Sequence, residues 1–164
     1  MTDRQGRIEL YLLRHADAGD PEAWTRPDGE RPLSAKGRRQ SERLGRQLAA
    51  IEFAPDAILA SPKVRAAETA RIVAEALGAT VVEDDRLAGP LDIDGIGEIL
   101  RDAPRRVVLV GHDPDFSELL STLVGAPELS LRKGALARVD VDRPIQPGGG
   151  VLRWLLPPDL VPSS

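Results

Sequence analysis

Two short apolar runs in this chain end on a histidine, and the chain has no other histidines. The first is Leu10-Tyr11-Leu12-Leu13, followed at once by Arg14-His15. The second is Val107-Val108-Leu109-Val110, followed by Gly111-His112. Runs this short, apolar throughout and bounded by small or polar residues, read as buried strands. Open α/β sheets place their ligands beyond the carboxyl ends of the strands. If the two strands lie parallel in one sheet, both imidazoles emerge at one edge and form a site.

The stretches between these runs predict the rest of the fold. A first strand over 8–13 is followed by a long polar loop, 17–32, rich in Gly, Pro and Asp. Loops of this length in compact domains are commonly functional. Trp24 lies inside the loop and either pins it to the core, the plainer reading, or lines a substrate groove. Ser34 is placed as the N-cap of a helix to about Ala50, with Leu44, Leu48 and Ile51 as its buried stripe. Gly37 is costly in a first helical turn and suggests that another backbone approaches closely. A strand over 57–60 leads to Ser61-Pro62, read as cap and first residue of a helix ending at Gly78. An edge strand over 80–83, an acidic irregular stretch over 84–97 and a short helix over 96–101 come next. Asp113-Pro114 repeats the cap-plus-proline start, for a helix using Phe116, Leu119, Leu120 and Leu123 and stopping at Gly125. Strands over 135–141 and 151–156, joined through Pro147-Gly148-Gly149-Gly150, close the chain as an antiparallel pair. Alternating strands and helices predict an α/β fold, a three-layer α/β/α sandwich with a mostly parallel sheet. The 164 residues suit a single domain with its core at about 8–156 and a loose tail over 157–164.

Charge and composition exclude several functions. At a net charge of −4 the chain has no overall attraction to nucleic acid or an anionic membrane, and its 3% aromatic content offers no stacking platform for single strands. No apolar run approaches membrane-spanning length and no signal peptide opens the sequence, so a cytoplasmic protein is expected. Cysteine is absent, which removes thiolate metal sites and suits a reducing compartment. With two imidazoles and no thiol, neither a metal nor another cofactor is expected.

The chemistry gathers at three strand ends: Arg14-His15, Ser61-Pro62-Lys63-Val64-Arg65 and Gly111-His112. Arg65 falls in the first turn of its helix, where free N–H groups and the helix dipole already favour anions. Arginine pairs phosphate oxygens bidentately and lysine does not. Two arginines and two imidazoles around such a point suit a tetrahedral dianion, which makes the site a phosphate pocket.

These motifs resemble the histidine phosphatase (phosphoglycerate mutase-like) superfamily. They are Leu13-Arg14-His15-Ala16, Ser61-Pro62-Lys63-Val64-Arg65-Ala66 with Thr69-Ala70, and Val110-Gly111-His112. Within that superfamily the chain's size, Pro32-Leu33-Ser34-Ala35-Lys36-Gly37 and Lys133-Gly134-Ala135-Leu136 resemble the SixA-type phosphohistidine phosphatases. The resemblance implies a metal-independent phosphatase in which His15 attacks phosphorus and forms a phosphohistidine that water then cleaves. It also implies that Arg14, Arg65 and His112 hold the equatorial oxygens. Neutral imidazole suits the first role near neutral pH.

Many members of the family carry an acidic general acid after the third strand. Here that segment reads Asp84-Asp85-Arg86-Leu87-Ala88-Gly89-Pro90, with no acid at the usual distance. Asp17, two residues after His15, is the nearest substitute and Asp92 a weaker one. An alkoxide leaving group needs a proton, whereas phosphohistidine whose imidazole ring is already protonated departs as neutral imidazole. The lack of an evident acid therefore leans toward phosphohistidine carried on a protein. The alternatives are a small phosphomonoester, such as a sugar phosphate or nucleotide, and a non-catalytic phosphate-recognition module. Ser61, Lys63 and Lys133 complete the predicted substrate-binding set. All three lysines, Lys36 included, fall in family-matching segments of an otherwise arginine-using chain.

Overall fold

The computed structural model describes residues 6–163. Six strands form one sheet: β1 (Arg7–Arg14), β2 (Ala57–Ala60), β3 (Val82–Glu83), β4 (Arg106–Gly111), β5 (Leu136–Asp142) and β6 (Val151–Leu156). Four helices accompany them: α1 (Ala35–Ala50), α2 (Val64–Leu77), α3 (Ile93–Leu100) and α4 (Asp115–Val124). The spatial order is β3-β2-β4-β1-β5-β6. β3, β2, β4 and β1 run parallel, while β5 is antiparallel to β1 and to β6. The fold is therefore the α/β sandwich the sequence predicts, with the antiparallel pair at one side.

Helices on both faces explain why the central strands read as continuous apolar runs. Leu10, Leu12 and Leu109 face Ile96 and Leu100 of α3 and Leu120 and Leu123 of α4. Tyr11, Leu13, Val108 and Val110 face Leu44 and Leu48 of α1 and Ala66, Ala70 and Val73 of α2. β1 and β4 are in register, with Leu13 opposite Val110 and Arg14 opposite Gly111. This register puts the two histidines at the same level. Two further bonds tie the strand ends together, His15 N–H to Gly111 O at 2.9 Å and Ser61 N–H to Val110 O at 3.0 Å.

Several local expectations are corrected. Ile51 lies beyond the last turn of α1 and is 60% exposed, so the buried stripe ends at Leu48. Ser61 does not cap α2. The helix starts at Val64 with Lys63 at the cap position, and the Ser61 hydroxyl faces inward. α3 starts at Ile93, because the Asp92 carboxylate accepts the Gly95 N–H and caps it. The helix after Asp113-Pro114 begins at Asp115, and the Asp113 carboxylate reaches forward to accept from Ser117 N–H at 3.0 Å. Residues 158–161 are not a loose tail: Pro158–Leu160 make a turn and Val161 is buried in the α1/α2 layer. Residues 1–5 and 164, the last of them the end of the expected tail, lie outside the described residues, and β1 starts at Arg7. Among the described residues no helix is long and apolar enough to cross a membrane.

Candidate active site

The site is built on the carboxyl ends of β1, β4 and β2. Gly37 fixes how the chain leaves β1, because a Cβ there would overlap the Asp17 carbonyl. This is the close backbone approach that glycine in a first helical turn suggested. Ser34 caps α1 by accepting from Gly37 N–H at 3.0 Å, and its own N–H donates to Asp17 O. The Thr69 hydroxyl donates to Arg65 O at 2.7 Å and accepts from Ala16 N–H at 3.1 Å, tying the segment after β1 to α2. Gly134 N–H donates to the carbonyls of Arg14 and His15 from the turn before β5.

Within this frame His15 and His112 are buried, with ring centroids 5.2 Å apart. His15 Nδ1 lies 2.7 Å from Ala16 O. A carbonyl only accepts, so Nδ1 carries the proton and Nε2 keeps its lone pair. His112 Nε2 lies 2.8 Å from the hydroxyl of Ser61, whose oxygen also accepts from Lys63 N–H. Among the described residues the fully buried Ser61 hydroxyl has no other acceptor for its proton. His112 Nε2 accepts it, and the ring's own proton is on Nδ1. Burial is the largest cause pulling both rings' pKa values down, His15 to about 4 and His112 to about 3. The charges of Arg65 and Arg14 add to the shift of His15, and those of His15, Arg65 and Lys63 to that of His112. Both imidazoles are neutral at pH 7, one with a free lone pair and the other with a free N–H.

The arginines are held by their far ends. Arg14 Nη1 donates to Leu131 O at 2.9 Å and pairs with Asp113 at 3.3 Å. Arg65 Nη1 donates to Asp28 O and Nη2 to the Asp28 carboxylate, both at 2.9 Å. Asp28 belongs to the long loop. Burial opposes its ionisation, but the Arg65 bond and charge outweigh that and hold its carboxyl below the usual range. Among the described residues, three buried side-chain nitrogens have no partner: Arg14 Nε, Arg65 Nε and His112 Nδ1. Buried donors are nearly always satisfied in folded proteins. Here the three exceptions all belong to the predicted phosphate-holding residues.

The remaining predicted residues take other places. Asp17 accepts from the Ser34 hydroxyl at 2.6 Å, which with Gly19 N–H and Lys133 lowers its pKa and keeps it ionised. In this geometry the Asp17 carboxylate accepts from Ser34 and from Gly19 N–H and so ties the start of the β1–α1 loop to α1. Asp92, as the α3 cap, is likewise engaged. Ser61 is fully buried and its hydroxyl meets His112 Nε2. Lys63 donates its backbone N–H to Ser61 Oγ, and Lys133 lines a groove with Arg14 and lies 3.9 Å from Asp17, so both stand beside the pocket. Trp24 braces its own loop, donating from Nε1 to Pro27 O at 3.0 Å, and joins neither core layer. Sequence reasoning missed Asp28 and Asp113, which hold the two arginines. Among the described residues, no group of three or more His, Cys, Asp or Glu could hold a metal ion.

Comparison with known proteins agrees with this geometry. The profile of the "Histidine phosphatase superfamily (branch 1)" matches residues 10–89. An uncharacterized protein of Picosynechococcus sp. (strain ATCC 27264 / PCC 7002 / PR-6) is 34% identical over 119 residues, 68% of this chain and 70% of that protein. The chain belongs to the histidine phosphatase superfamily. Its class as an enzyme is accordingly that of a phosphatase. The fold is shared with the protein histidine phosphatase SixA solved with tungstate, at TM-score 0.81 and 23% identity over 93% of this chain and 98% of that one. It is shared too with a putative alpha-ribazole-5'-P phosphatase from Escherichia coli str. K-12 substr. MG1655, at TM-score 0.72 and 18% identity, covering 92% and 98%.

Proposed function

We propose that this histidine phosphatase hydrolyses phosphohistidine carried on a protein, through a phosphoryl group held transiently on His15. The observation that carries the reading is the set of unpartnered buried donors, Arg14 Nε, Arg65 Nε and His112 Nδ1, around a neutral His15. The His15 Nε2 lone pair forms the bond to phosphorus as the bond to the leaving nitrogen breaks. That nitrogen keeps the electron pair, and the substrate imidazole leaves neutral because its other ring nitrogen already carries a proton. Arg14, Arg65 and His112 donate to the equatorial oxygens, where charge gathers. Water then attacks phosphorus, the His15–phosphorus bond breaks, and phosphate departs with the water's oxygen. Neither of the carboxylates considered from the sequence is free to protonate an alkoxide, since Asp17 and Asp92 are both engaged. This favours a leaving group that needs no acid. The shared fold with SixA, described as a protein histidine phosphatase, supports the same reading.

A substrate panel tests it: a phosphohistidine protein, free phosphohistidine, a sugar phosphate and a nucleotide. The reading expects kcat/KM for phosphohistidine substrates to exceed that for alkyl phosphates by at least about 100-fold, the size of an unassisted alkoxide departure. A preference for the sugar phosphate or nucleotide overturns it in favour of a small phosphomonoester.

A further inference from the structure

Beside Arg14 the surface opens into a groove of about 650 Å³, and its walls are cationic. Arg14, Lys36, Arg39, Arg43, Arg132 and Lys133 line it, against the carboxylates of Asp17 and Asp159. This concentration of positive charge lies on a chain whose net charge is −4. Lys36, Arg39 and Arg43 are at i, i+3 and i+7 of α1, so they form a stripe about 10 Å long on one helix face. Like charges at this spacing repel. Elsewhere the chain satisfies such cations: Arg38 pairs with Glu68, Arg86 with Asp84, Arg138 with Asp140. Among the described residues Lys36, Arg39, Arg43 and Arg132 make no ion pair within 4 Å. Asp17 is already engaged by Ser34. The fold therefore holds together a cationic stripe that the two carboxylates only partly offset and that opens onto the phosphate pocket past Arg14 and Lys133.

We propose that this groove seats an acidic segment of the phosphoprotein substrate, close to its phosphohistidine; the proposal rests on the phosphohistidine reading above. Charge complementarity selects an anionic occupant. The lining selects a polypeptide among anions. Small-molecule sites are mostly apolar, but the one apolar residue lining this groove is Pro158. Carboxylates spaced along a chain match cations spaced along a helix. The salt bridges so formed are exposed, so they act on KM and on association rate rather than on the chemical step.

The test compares free phosphohistidine with two short phosphohistidine peptides, one flanked by Asp and Glu and one flanked by Ser and Gly. Inorganic tripolyphosphate is a fourth probe. At low ionic strength the wild-type kcat/KM should be about tenfold higher for the acidic peptide than for the neutral one, the product of several exposed charge terms of about twofold each. The advantage should fade with added salt. In Arg39→Glu/Arg43→Glu, KM for the acidic peptide should rise about tenfold on the same basis. Its kcat should stay the same, and so should all constants for free phosphohistidine, which also reports that the variant is folded. Lys36→Gln/Arg132→Gln should shift KM in the same direction by a smaller factor. Equal kcat/KM for the two peptides in wild type overturns the groove proposal and leaves the phosphohistidine reading standing. Cleavage of tripolyphosphate with no cleavage of any phosphohistidine probe overturns both.

Discussion

Lowering the pH is the perturbation that probes the two buried imidazoles together. Each pKa unit is worth about 1.36 kcal/mol, so moving His15 from 6.5 to about 4 corresponds to about 3 kcal/mol of preference for the neutral ring in the folded state. Between these two values the unfolded chain takes up a proton that the folded chain refuses. The stabilisation is thus complete above pH 6.5 and is lost as pH falls toward 4. His112 acts in the same direction, down to about 3. Denaturant unfolding should show a loss of about 2 kcal/mol between pH 7 and pH 5 from His15 alone. Long-range ¹H–¹⁵N correlation of the ring nitrogens gives a direct readout, since the two histidines contribute just two spin systems. Both rings should be neutral at pH 6 and both protonated on Nδ1, the tautomer that Ala16 O imposes on His15 and Ser61 on His112. Ser61→Ala should release His112 from that tautomer and leave His15 unchanged. A ring titrating near 6.5, or His15 protonated on Nε2, would refute the reasoning.

Substitutions at three other residues have defined outcomes. Arg65→Ala should lower kcat/KM by about 10²-fold or more, as for a lost oxyanion donor. Arg65→Lys should recover little of it, because one ammonium cannot both hold Asp28 and supply the Nε donor; recovery of most of the rate would show that Arg65 acts as a diffuse charge. Asp17→Asn should slow phosphohistidine, aryl phosphate and alkyl phosphate by the same small factor, and a selective loss on the alkyl ester would restore Asp17 as the acid. Gly37→Ala should cost about 1–3 kcal/mol of stability, read from the denaturant midpoint, because the new methyl meets the Asp17 carbonyl.

The pocket was legible because its residues lie at strand ends and in first helical turns, places that sequence pattern marks directly. Arg14, His15 and His112 follow apolar runs, and the parallel register of β1 and β4 brings them level. The contacts that aim these side chains were not legible. Arg65 meets Asp28 across 37 residues and Arg14 meets Asp113 across the sheet, and no periodicity encodes either pairing. Ser61 shows the same limit. Ser-Pro before a helix reads as a cap, but the hydroxyl turns inward to His112 and α2 starts without it. Val161 was misread because a short Pro-rich end has no pattern, yet one valine finds the layer under α1. The cationic stripe of α1 was readable in principle from the i, i+3, i+7 spacing of Lys36, Arg39 and Arg43.

The central claim is that His15 carries the phosphoryl group. Enzyme mixed briefly with ³²P-labelled substrate, quenched in alkali to preserve phosphoramidate bonds and mapped by peptide, tests it most directly. The account predicts label on His15 at Nε2, in an amount approaching one per chain when water attack is slow, and no label and no turnover in His15→Ala, which should remain folded. Label on His112, or full turnover by His15→Ala, would contradict it.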